Sequence, residues 1–290
     1  MVIDAVIAPE FFRYAKANQS YAVRSIFSTS MYLENSRGLV LLHDACYSPI
    51  PFGAGIRNII EFFNRQSFSV GQTAQISDTA LVLSDVTMQF NILSLSPLTP
   101  PVVLHEALTE GYKKGLSALR RKDAQMALLV AAEQTAPTDP FMRAAYQPLS
   151  LLYSTLREEN GHVAAAIEKL LGLGSGLTPA MDDVLCGLCT LLHVAKKAWL
   201  LPLPGADALC RAINSLAPLR TNRYSAAYLL CAARGDISAP LHALFSAGEF
   251  LPEEAVNRLL SIGSSSGAAM LAGVTIGLRL IMEHFFSIRV

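Results

Sequence analysis

The stretch Ser96-Pro97-Leu98-Thr99-Pro100-Pro101 divides this chain of 290 residues into two parts with different hydrophobic patterns. It contains three prolines in six residues. Regular structure cannot continue through it, because proline has no N–H and its φ angle is fixed. Short-range alternation dominates before the stretch, and helical periodicity dominates after it. We therefore predict two domains, residues 1–98 and residues 99–290.

The first part is rich in Val, Ile, Phe, Thr and Ser, and its apolar residues alternate with polar ones over short runs. These runs cover residues 21–33, 38–43, 68–76 and 79–93. Turn signals such as Glu34-Asn35-Ser36-Arg37-Gly38 separate them. This pattern predicts a mostly β domain, built as a small barrel or a sandwich.

The second part has apolar residues at helical spacing through many long segments. The predicted helices cover residues 102–121, 123–133, 139–158, 162–171, 179–200, 206–216, 222–234, 239–247, 252–261 and 266–286. They make this part a larger, all-α helical bundle. The predicted fold class is therefore α+β.

The amino-acid composition also limits the classes of function and of partner. Hydrophobic residues make up 52% of the chain and mean hydropathy is +0.36, which indicates a substantial core. Lys plus Arg and Asp plus Glu both number 23, so there is no basic surplus to bind nucleic acid. A net charge near zero favours a chain that hides surface in a homo-oligomer or in a complex.

The sequence predicts a cytoplasmic protein with no membrane span. Its first residues have no basic leader and are interrupted by Asp4. The longest apolar stretch, residues 267–278, ends at Arg279 and is shorter than the roughly 20 residues that a spanning helix needs. We expect it to be a core helix whose small residues allow close packing.

A glycine motif opens one of the predicted helices: Leu171-Gly172-Leu173-Gly174-Ser175-Gly176-Leu177-Thr178-Pro179-Ala180-Met181-Asp182-Asp183. Alternating glycines allow positive φ angles and turn their N–H groups to one side, while Thr178 and Pro179 are typical of an N-cap and a first helical position. Such a loop suits an anion. A helix C-cap, a turn and an N-cap would also explain these residues, so both interpretations stay open. The predicted anion contacts are Gly172, Gly174, Ser175, Gly176 and Thr178.

Asp182 and Asp183 enter a helix that is otherwise too apolar to be a solvated surface. With Thr178 as N-cap they would be the fourth and fifth helical residues, about 100° apart around the axis, so they cannot do the same job. We expect one to bind a cation such as Mg²⁺, a substrate amide or a transferable proton, and the other to hold the loop. Both are candidate catalytic residues, and which has which role stays open.

Two more polar helix starts could join the loop. Arg220-Thr221-Asn222-Arg223-Tyr224-Ser225 carries two guanidinium groups and several hydroxyls, and Ser264-Ser265-Ser266-Gly267 carries three hydroxyls. Each is also explained as an ordinary helix cap. Together they predict a shared anion pocket. Its candidate members are Arg220, Thr221, Arg223, Ser225, Ser264, Ser265, Ser266 and Gly267.

The glycine motif resembles the pattern Gly-Leu-Gly-Pro-Gly-Leu-Thr-Pro-Ser-Gly-Asp-Asp of the AllH-like family, and the resemblance extends over residues 171–280. Family members include a subunit of oxamate carbamoyltransferase in allantoin catabolism. This chain departs from the pattern at Ser175, where the family has Pro, and at Ala180 and Met181, where it has Ser and Gly. These differences bear on the identity of the substrate.

The resemblance implies a subunit that works in ureide or purine nitrogen catabolism. The reaction would exchange oxamate and carbamoyl phosphate with oxalurate and phosphate, in a complex with an FdrA-like subunit and a further protein. The alternative is a non-catalytic metabolite-binding or assembly subunit of an acyl-CoA-synthetase-like, FdrA-like complex. In either case we expect a small anionic ligand at the loop of residues 172–183.

Overall fold

The computed structural model describes residues 1–131, 137–158, 162–245 and 249–288, and it divides the chain into two compact units. The first unit contains residues 1–96 together with residues 236–240. The second contains residues 97–235 and 241–290. The return of residues 236–240 to the first unit is a feature that the sequence pattern does not predict.

The first unit is a closed eight-stranded barrel, which confirms the predicted β architecture. Around the barrel the strand order is β1-β5-β4-β3-β2-β6-β7-β8, and β8 pairs in parallel with β1 to close it. The β4–β5 pair is also parallel, and the others are antiparallel. The strands are β1 Val2–Ile7, β2 Gln19–Ile26, β3 Ser30–Glu34, β4 Leu39–Asp44, β5 Gly53–Ile56, β6 Thr73–Ile76, β7 Ala80–Leu83 and β8 Val86–Ile92.

Side chains from alternate positions along the strands fill the barrel interior. In β2, Tyr21 and Val23 are buried while Ala22 and Arg24 are exposed, as expected for side chains that point to opposite faces of a strand. Two short helices, α1 Phe11–Tyr14 and α2 Ile59–Arg65, add Phe11 and Ile59 to the same core. The barrel therefore has a single apolar core made from both strands and helices.

Strand β5 is one that the sequence pattern missed, because its sequence Gly-Ala-Gly-Ile is unlike a typical strand. Close packing explains the glycines. A Cβ atom on Gly53 would lie 2.6 Å from Nε2 of His43, and one on Gly55 would lie 1.8 Å from Oγ of Ser48. The parallel pairing of β5 with β4 thus depends on the absence of side chains at these two positions.

Residues 236–240 join the barrel unit through polar contacts. Nη1 of Arg13 donates a hydrogen bond to Oδ1 of Asp236 at 2.7 Å, and the hydroxyl of Tyr14 donates to the same carboxylate. The N–H of Ala239 donates to the carbonyl of Pro49 at 2.9 Å. This segment is thereby a structural part of the first unit.

The second unit is helical, as predicted. Its helices are α3 Leu104–Lys122, α4 Ala124–Ala131, α5 Pro140–Glu158, α6 Val163–Leu170, α7 Ala180–Lys197, α8 Pro204–Arg220, α9 Arg223–Arg234, α10 Ala239–His242, α11 Glu253–Leu260 and α12 Ser266–Phe286, and α10 begins in the segment that belongs to the barrel unit. The ends of the predicted helices at 123–133 and 239–247 extend outside the described residues.

Helices α7 and α12 form the centre of this unit and pack against each other. A Cβ atom on Gly187 would lie 2.0 Å from the carbonyl oxygen of Met270, and one on Gly273 would lie 1.9 Å from that of Val184. A Cβ on Gly277 would lie 2.5 Å from Cδ2 of Leu191. Because later residues of α7 meet later residues of α12, the helices run in the same direction and both N-termini lie at one end.

Helix α12 is long enough and apolar enough to cross a membrane, judged by its length and composition alone. It is longer than the apolar stretch predicted from sequence, with 21 residues. However, 72% of its most apolar window is buried within the protein. The prediction that this segment is a core helix agrees with that burial.

Candidate functional site

The glycine loop has the backbone conformation that its sequence predicts. The φ angles are +76° at Gly172, +130° at Gly174 and +96° at Gly176, in the region where residues with a side chain are strained. A Cβ atom on Gly174 would lie 2.4 Å from the backbone nitrogen of Ala180. The loop therefore folds tightly against the start of α7.

The predicted N-cap of α7 is wrong by one residue. Pro179 takes the N-cap position with extended backbone angles, φ −53° and ψ 137°, and Ala180 is the first helical residue. Proline at this position gives no side-chain cap, and Thr178 lies one residue outside the helix. Asp182 and Asp183 are consequently the third and fourth helical residues, rather than the fourth and fifth.

Asp182 holds the loop in place. Its Oδ1 accepts the N–H of Gly172 at 2.8 Å, and its Oδ2 accepts the hydroxyls of Ser225, at 2.7 Å, and Thr221. Its exposed fraction is 1%. Burial raises the pKa of Asp182, and the hydrogen bonds from Thr221, Gly172 and Ser225 offset part of this rise. Of the two roles left open by the sequence, Asp182 has the geometry of the residue that holds the loop.

Asp183 is in a different environment. Its exposed fraction is 2%, and its Oδ2 has no hydrogen-bond partner among the described residues. Burial raises the pKa of Asp183 to about 8, although the nearby hydroxyls of Ser266 and Thr178 oppose the shift. Those two hydroxyls are 2.8 Å apart and partly exposed. The carboxyl thus holds a proton at neutral pH, next to two hydroxyls that reach towards the surface.

The start of α9 is tied to the loop by Asn222, a residue that the site prediction omitted. Asn222 caps α9, with its Oδ1 accepting the N–H groups of Tyr224 at 3.0 Å and Ser225 at 3.1 Å. Its Nδ2 donates to the carbonyl of Leu177 at 2.8 Å. Its position at the start of the predicted helix 222–234 was the available signal, since asparagine is a favoured N-cap residue.

The arginines are placed differently from the hydroxyls. Arg220 approaches the loop through its backbone, since a Cβ atom on Gly172 would lie 2.7 Å from its carbonyl oxygen. The guanidinium of Arg220 pairs instead with Glu168 of α6, and both side chains are about half exposed. Arg223 is exposed at the first position of α9.

The segment Ser264-Ser265-Ser266-Gly267 contributes one serine side chain to the site. Ser266 contacts Thr178 through its hydroxyl, while Ser264 and Ser265 are exposed. Ser265 is the N-cap of α12 but makes no side-chain cap bond. Gly267 allows close packing, because a Cβ atom there would lie 1.9 Å from the carbonyl oxygen of Leu259. The N-termini of α7, α9 and α12 are therefore brought together around the loop.

The loop also presents unused donors. The backbone N–H groups of residues 174–177 donate no hydrogen bond to any of the described residues. Ser175, Gly176 and Leu177 are exposed. Free N–H groups and the positive ends of helix dipoles both favour a bound anion. The arrangement can accept phosphate or carboxylate oxygens at its surface.

The two carboxyl groups do not by themselves make up a magnesium site. Mg²⁺ requires oxygen ligands with free lone pairs in near-octahedral geometry. Oδ1 of Asp182 accepts one protein hydrogen bond and Oδ2 accepts two, while burial raises the pKa of Asp183 and so disfavours the ionised form that binds a cation. No group of three or more His, Cys, Asp or Glu residues that could hold a metal occurs within the described ranges. We derive no catalytic step through a metal.

Comparison with known proteins agrees with the motif. Residues 170–278 match the family model described as oxamate carbamoyltransferase subunit AllH. This confirms the predicted resemblance over the segment that contains the loop, Asp182, Asp183 and the starts of α9 and α12. The match covers less than half of the chain and does not include the first 96 residues of the barrel unit. No solved structure matches the chain.

Proposed function

We propose, from the AllH match over residues 170–278, that this chain is a cytoplasmic subunit of a carbamoyltransferase complex and binds a small anionic carbamoyl or phosphate compound at its glycine loop. The observation that carries the proposal is the set of unpaired N–H groups at residues 174–177. They lie where three helix N-termini meet, within the matched segment. Preorganised donors of this kind stabilise the charge on phosphoryl and carboxylate oxygens.

The reaction that this site would serve is carbamoyl transfer between oxamate and phosphate. In one direction the amide nitrogen of oxamate bonds to the carbamoyl carbon, the bond from that carbon to the phosphate oxygen breaks, and the nitrogen loses a proton. The products are oxalurate and phosphate. The loop would hold the phosphate oxygens in both directions, so catalysis would come from positioning and charge stabilisation.

Asp183 is the residue that we propose for the proton. A group with a pKa of about 8 can both release and accept a proton near neutral pH. The hydroxyls of Thr178 and Ser266 lie beside the carboxyl and are partly exposed, so they can pass the proton between Asp183 and the substrate nitrogen. Asp182 has a positioning role, because its oxygens hold Gly172, Thr221 and Ser225.

Residue 175, which differs from the family pattern, decides which backbone N–H donors this site has in common with other family members. A proline at position 175 would have no N–H, so the common donors would be those of Gly174, Gly176 and Leu177. In this chain Ser175 adds one N–H and one exposed hydroxyl. We expect these extra groups to adjust substrate preference, and the FdrA-like and further subunits to complete the catalytic complex.

A non-catalytic role in assembly is the second candidate. It is favoured by the fact that all three donors to Asp182 come from this chain, so the carboxylate needs no ligand to be satisfied. The loop would then be a rigid docking feature for a partner subunit. In that case Asp183 would matter little to assembly, because it is buried behind Thr178 and Ser266.

The test is calorimetric titration of the full-length chain with carbamoyl phosphate, with and without Mg²⁺. Gly176→Ala is the informative variant, because a Cβ there meets no atom within 4 Å, yet its φ of +96° disfavours alanine and would redirect the N–H groups. Ser175→Pro is the matched control, since it introduces the family's own residue. Circular dichroism checks folding of each variant.

We expect the wild type to bind and Ser175→Pro to lose at most the contribution of one N–H. Gly176→Ala, which redirects several N–H groups, should bind at least about tenfold more weakly than Ser175→Pro, because each lost charge-assisted hydrogen bond is equivalent to about 1.4 kcal/mol or more. Equal affinity of the wild type and Gly176→Ala would overturn the loop as the binding site. Absence of binding to the wild type, with loss of complex formation by Gly176→Ala, would favour the assembly role instead.

A further inference from the structure

Two cysteine side chains face each other between α7 and α8. The sulfur atoms of Cys189 on α7 and Cys210 on α8 lie 3.6 Å apart, so that one thiol donates a weak hydrogen bond to the other. All five cysteines of the chain are thiols and lie within the described residues. Because the two sulfurs are already in contact, small rotations of the side chains bring them within reach of a covalent bond.

The two thiols differ in their access to solvent. Cys189 is fully buried, with an exposed fraction of 0%, whereas Cys210 is partly exposed. A small soluble oxidant can therefore reach Cys210 without opening the core of the helical unit. An accessible cysteine beside a second thiol is typical of redox-sensing sites, where the first thiol is oxidised and the second resolves the product.

The surroundings of Cys210 favour its thiolate, which is the form that reacts with oxidants. Hydrogen bonding from Cys189 lowers the pKa of Cys210. The positive charges of Lys196 and Arg211 act in the same direction, whereas burial and the carboxylate of Asp207 partly oppose them. The shared hydrogen bond and burial raise the pKa of Cys189, which keeps its proton. Cys210 is thus the nucleophile of the pair.

We propose that Cys210 and Cys189 are a reversible redox pair, in which hydrogen peroxide oxidises Cys210 and the disulfide that follows links α7 to α8. The sulfur of Cys210 attacks one peroxide oxygen, the O–O bond breaks, and the other oxygen takes a proton and leaves as water. The sulfur of Cys189 then attacks the sulfenic acid on Cys210. The S–O bond breaks, and the hydroxyl group leaves as water with the proton of Cys189.

The electrons balance in this sequence. The two thiols lose two electrons in total, and one molecule of hydrogen peroxide is reduced to two molecules of water. A small thiol such as dithiothreitol reverses the reaction by thiol–disulfide exchange, which returns both cysteines to thiols.

The pair is separate from the glycine loop. Cys189 lies about two helical turns after Asp182 on α7, and neither cysteine contacts a residue of the loop in a hydrogen bond among the described residues. A disulfide between these positions would fix the helix that carries the two buried aspartates to its neighbour α8. The redox proposal does not depend on carbamoyl phosphate binding, so each of the two proposals can fail while the other holds.

The experiment counts thiols in the reduced full-length chain before and after treatment with hydrogen peroxide, using a maleimide reagent added in denaturant. The reduced wild type should have five thiols, and the oxidised protein should have three because a disulfide uses two. Dithiothreitol should restore all five. Electrophoresis without reductant separates this internal bond from a bond between two chains through the exposed Cys46.

Peptide mapping locates the bond. Trypsin should release residues 198–211, which contain Cys210, joined to residues 170–196, which contain Cys186 and Cys189. A folded wild type that forms no internal disulfide would overturn the proposal. Conversion of Cys210 to a sulfinic acid without a disulfide would overturn it as well.

Variants identify the partner of Cys210. Cys189→Ala should form no disulfide and leave Cys210 as a sulfenic acid that dimedone traps. Cys210→Ser, a conservative change at a partly exposed position, should also form none. Cys186→Ala is the matched control, because Cys186 is buried one turn earlier on α7 and its thiol donates to the carbonyl of Tyr228.

The control should still lose two thiols on oxidation, whereas the two variants of the pair should not. Circular dichroism checks that each protein is folded. A disulfide that persists in Cys189→Ala and disappears in Cys186→Ala would assign the bond to Cys186 and overturn the proposed pair.

Discussion

The barrel core and the start of α7 are both buried, yet they are built from opposite kinds of residue. The barrel core is a cluster of aliphatic and aromatic side chains, with residues such as Ile7, Leu33 and Leu42 fully inaccessible. The first turn of helix α7 contains Asp182 and Asp183, which are 1% and 2% exposed. Burial of apolar area explains the first by itself, whereas burial of carboxyl groups opposes folding unless they are paired or protonated.

The difference separates residues retained for stability from residues that need a further reason. Asp182 offsets the cost of burial with three donors, and its replacement would leave those donors without a partner. Asp183 has an unpaired oxygen and a raised pKa, and nothing in the packing of α7 requires an acid there. Asp183 is therefore the carboxyl group to which we assign the proposed proton transfer.

The contrast between the apolar barrel core and the buried carboxyl groups of α7 predicts a pH dependence of the free energy of unfolding. This is the largest effect that we expect. The pKa of Asp183 rises from 3.8 to about 8 on folding, so the native state binds the proton more tightly than the unfolded chain. Its contribution to stability is complete below pH 4 and is lost as the pH rises towards 8, at up to about 1.4 kcal/mol per pH unit. Asp182, whose pKa is also raised, contributes with the same sign.

Asp183→Asn should remove most of this slope, because asparagine resembles the protonated acid and does not titrate. Urea unfolding at several pH values between 4 and 8 would measure it. Asp207→Asn is the control for loss of an acid outside the buried site, because Asp207 belongs to the same unit, is half exposed and pairs with Lys196. If Asp183→Asn kept the wild-type slope, Asp183 would not be protonated in the native state.

The next effect concerns the barrel. Leu33→Ala should destabilise the barrel by about 2–5 kcal/mol, because it removes a fully buried side chain and leaves a cavity. The same variant should bind carbamoyl phosphate with unchanged affinity at temperatures where it is folded, since no residue of the glycine loop belongs to this core. Unfolding followed by circular dichroism and titration calorimetry would provide the two values. A large loss of affinity in the folded variant would show that the two cores are not independent.

The features that could be predicted from sequence are those set by neighbouring residues. Alternating glycines indicated the positive φ angles of the loop, and apolar spacing indicated the helices of the second unit. Strand β5 escaped prediction because its glycines are required by His43 and Ser48, residues that are near only after folding. The N-cap was misplaced because Thr178 is a good local candidate, whereas the folded loop puts Pro179 there.

The roles within the site needed long-range contacts. Sequence indicated that the two aspartates must differ, but the donors that distinguish Asp182 come from Thr221 and Ser225, about forty residues away. The guanidinium of Arg220 was predicted to bind an anion, and its pairing with Glu168 could not be inferred from local spacing. The N-cap role of Asn222 had a local signal, but its bond to Leu177 could not be predicted, because this bond joins two separate loops.

The smallest predicted effect tests whether that bond supports the anion site. Asn222→Ala removes the N-cap of α9, which typically costs about 1–2 kcal/mol, and also removes the hydrogen bond to the carbonyl of Leu177. Ser265→Ala is a matched control at the N-cap of α12, where the side chain makes no cap bond, so its cost should be close to zero. Urea unfolding of both variants gives the comparison.

Since Leu177 carries one of the unpaired N–H groups, Asn222→Ala should also weaken carbamoyl phosphate binding, whereas Ser265→Ala should not. A variant of Asn222 that lost stability but kept full affinity would mean that the glycines alone fix the loop, and that the start of α9 is a structural neighbour of the site rather than a part of it.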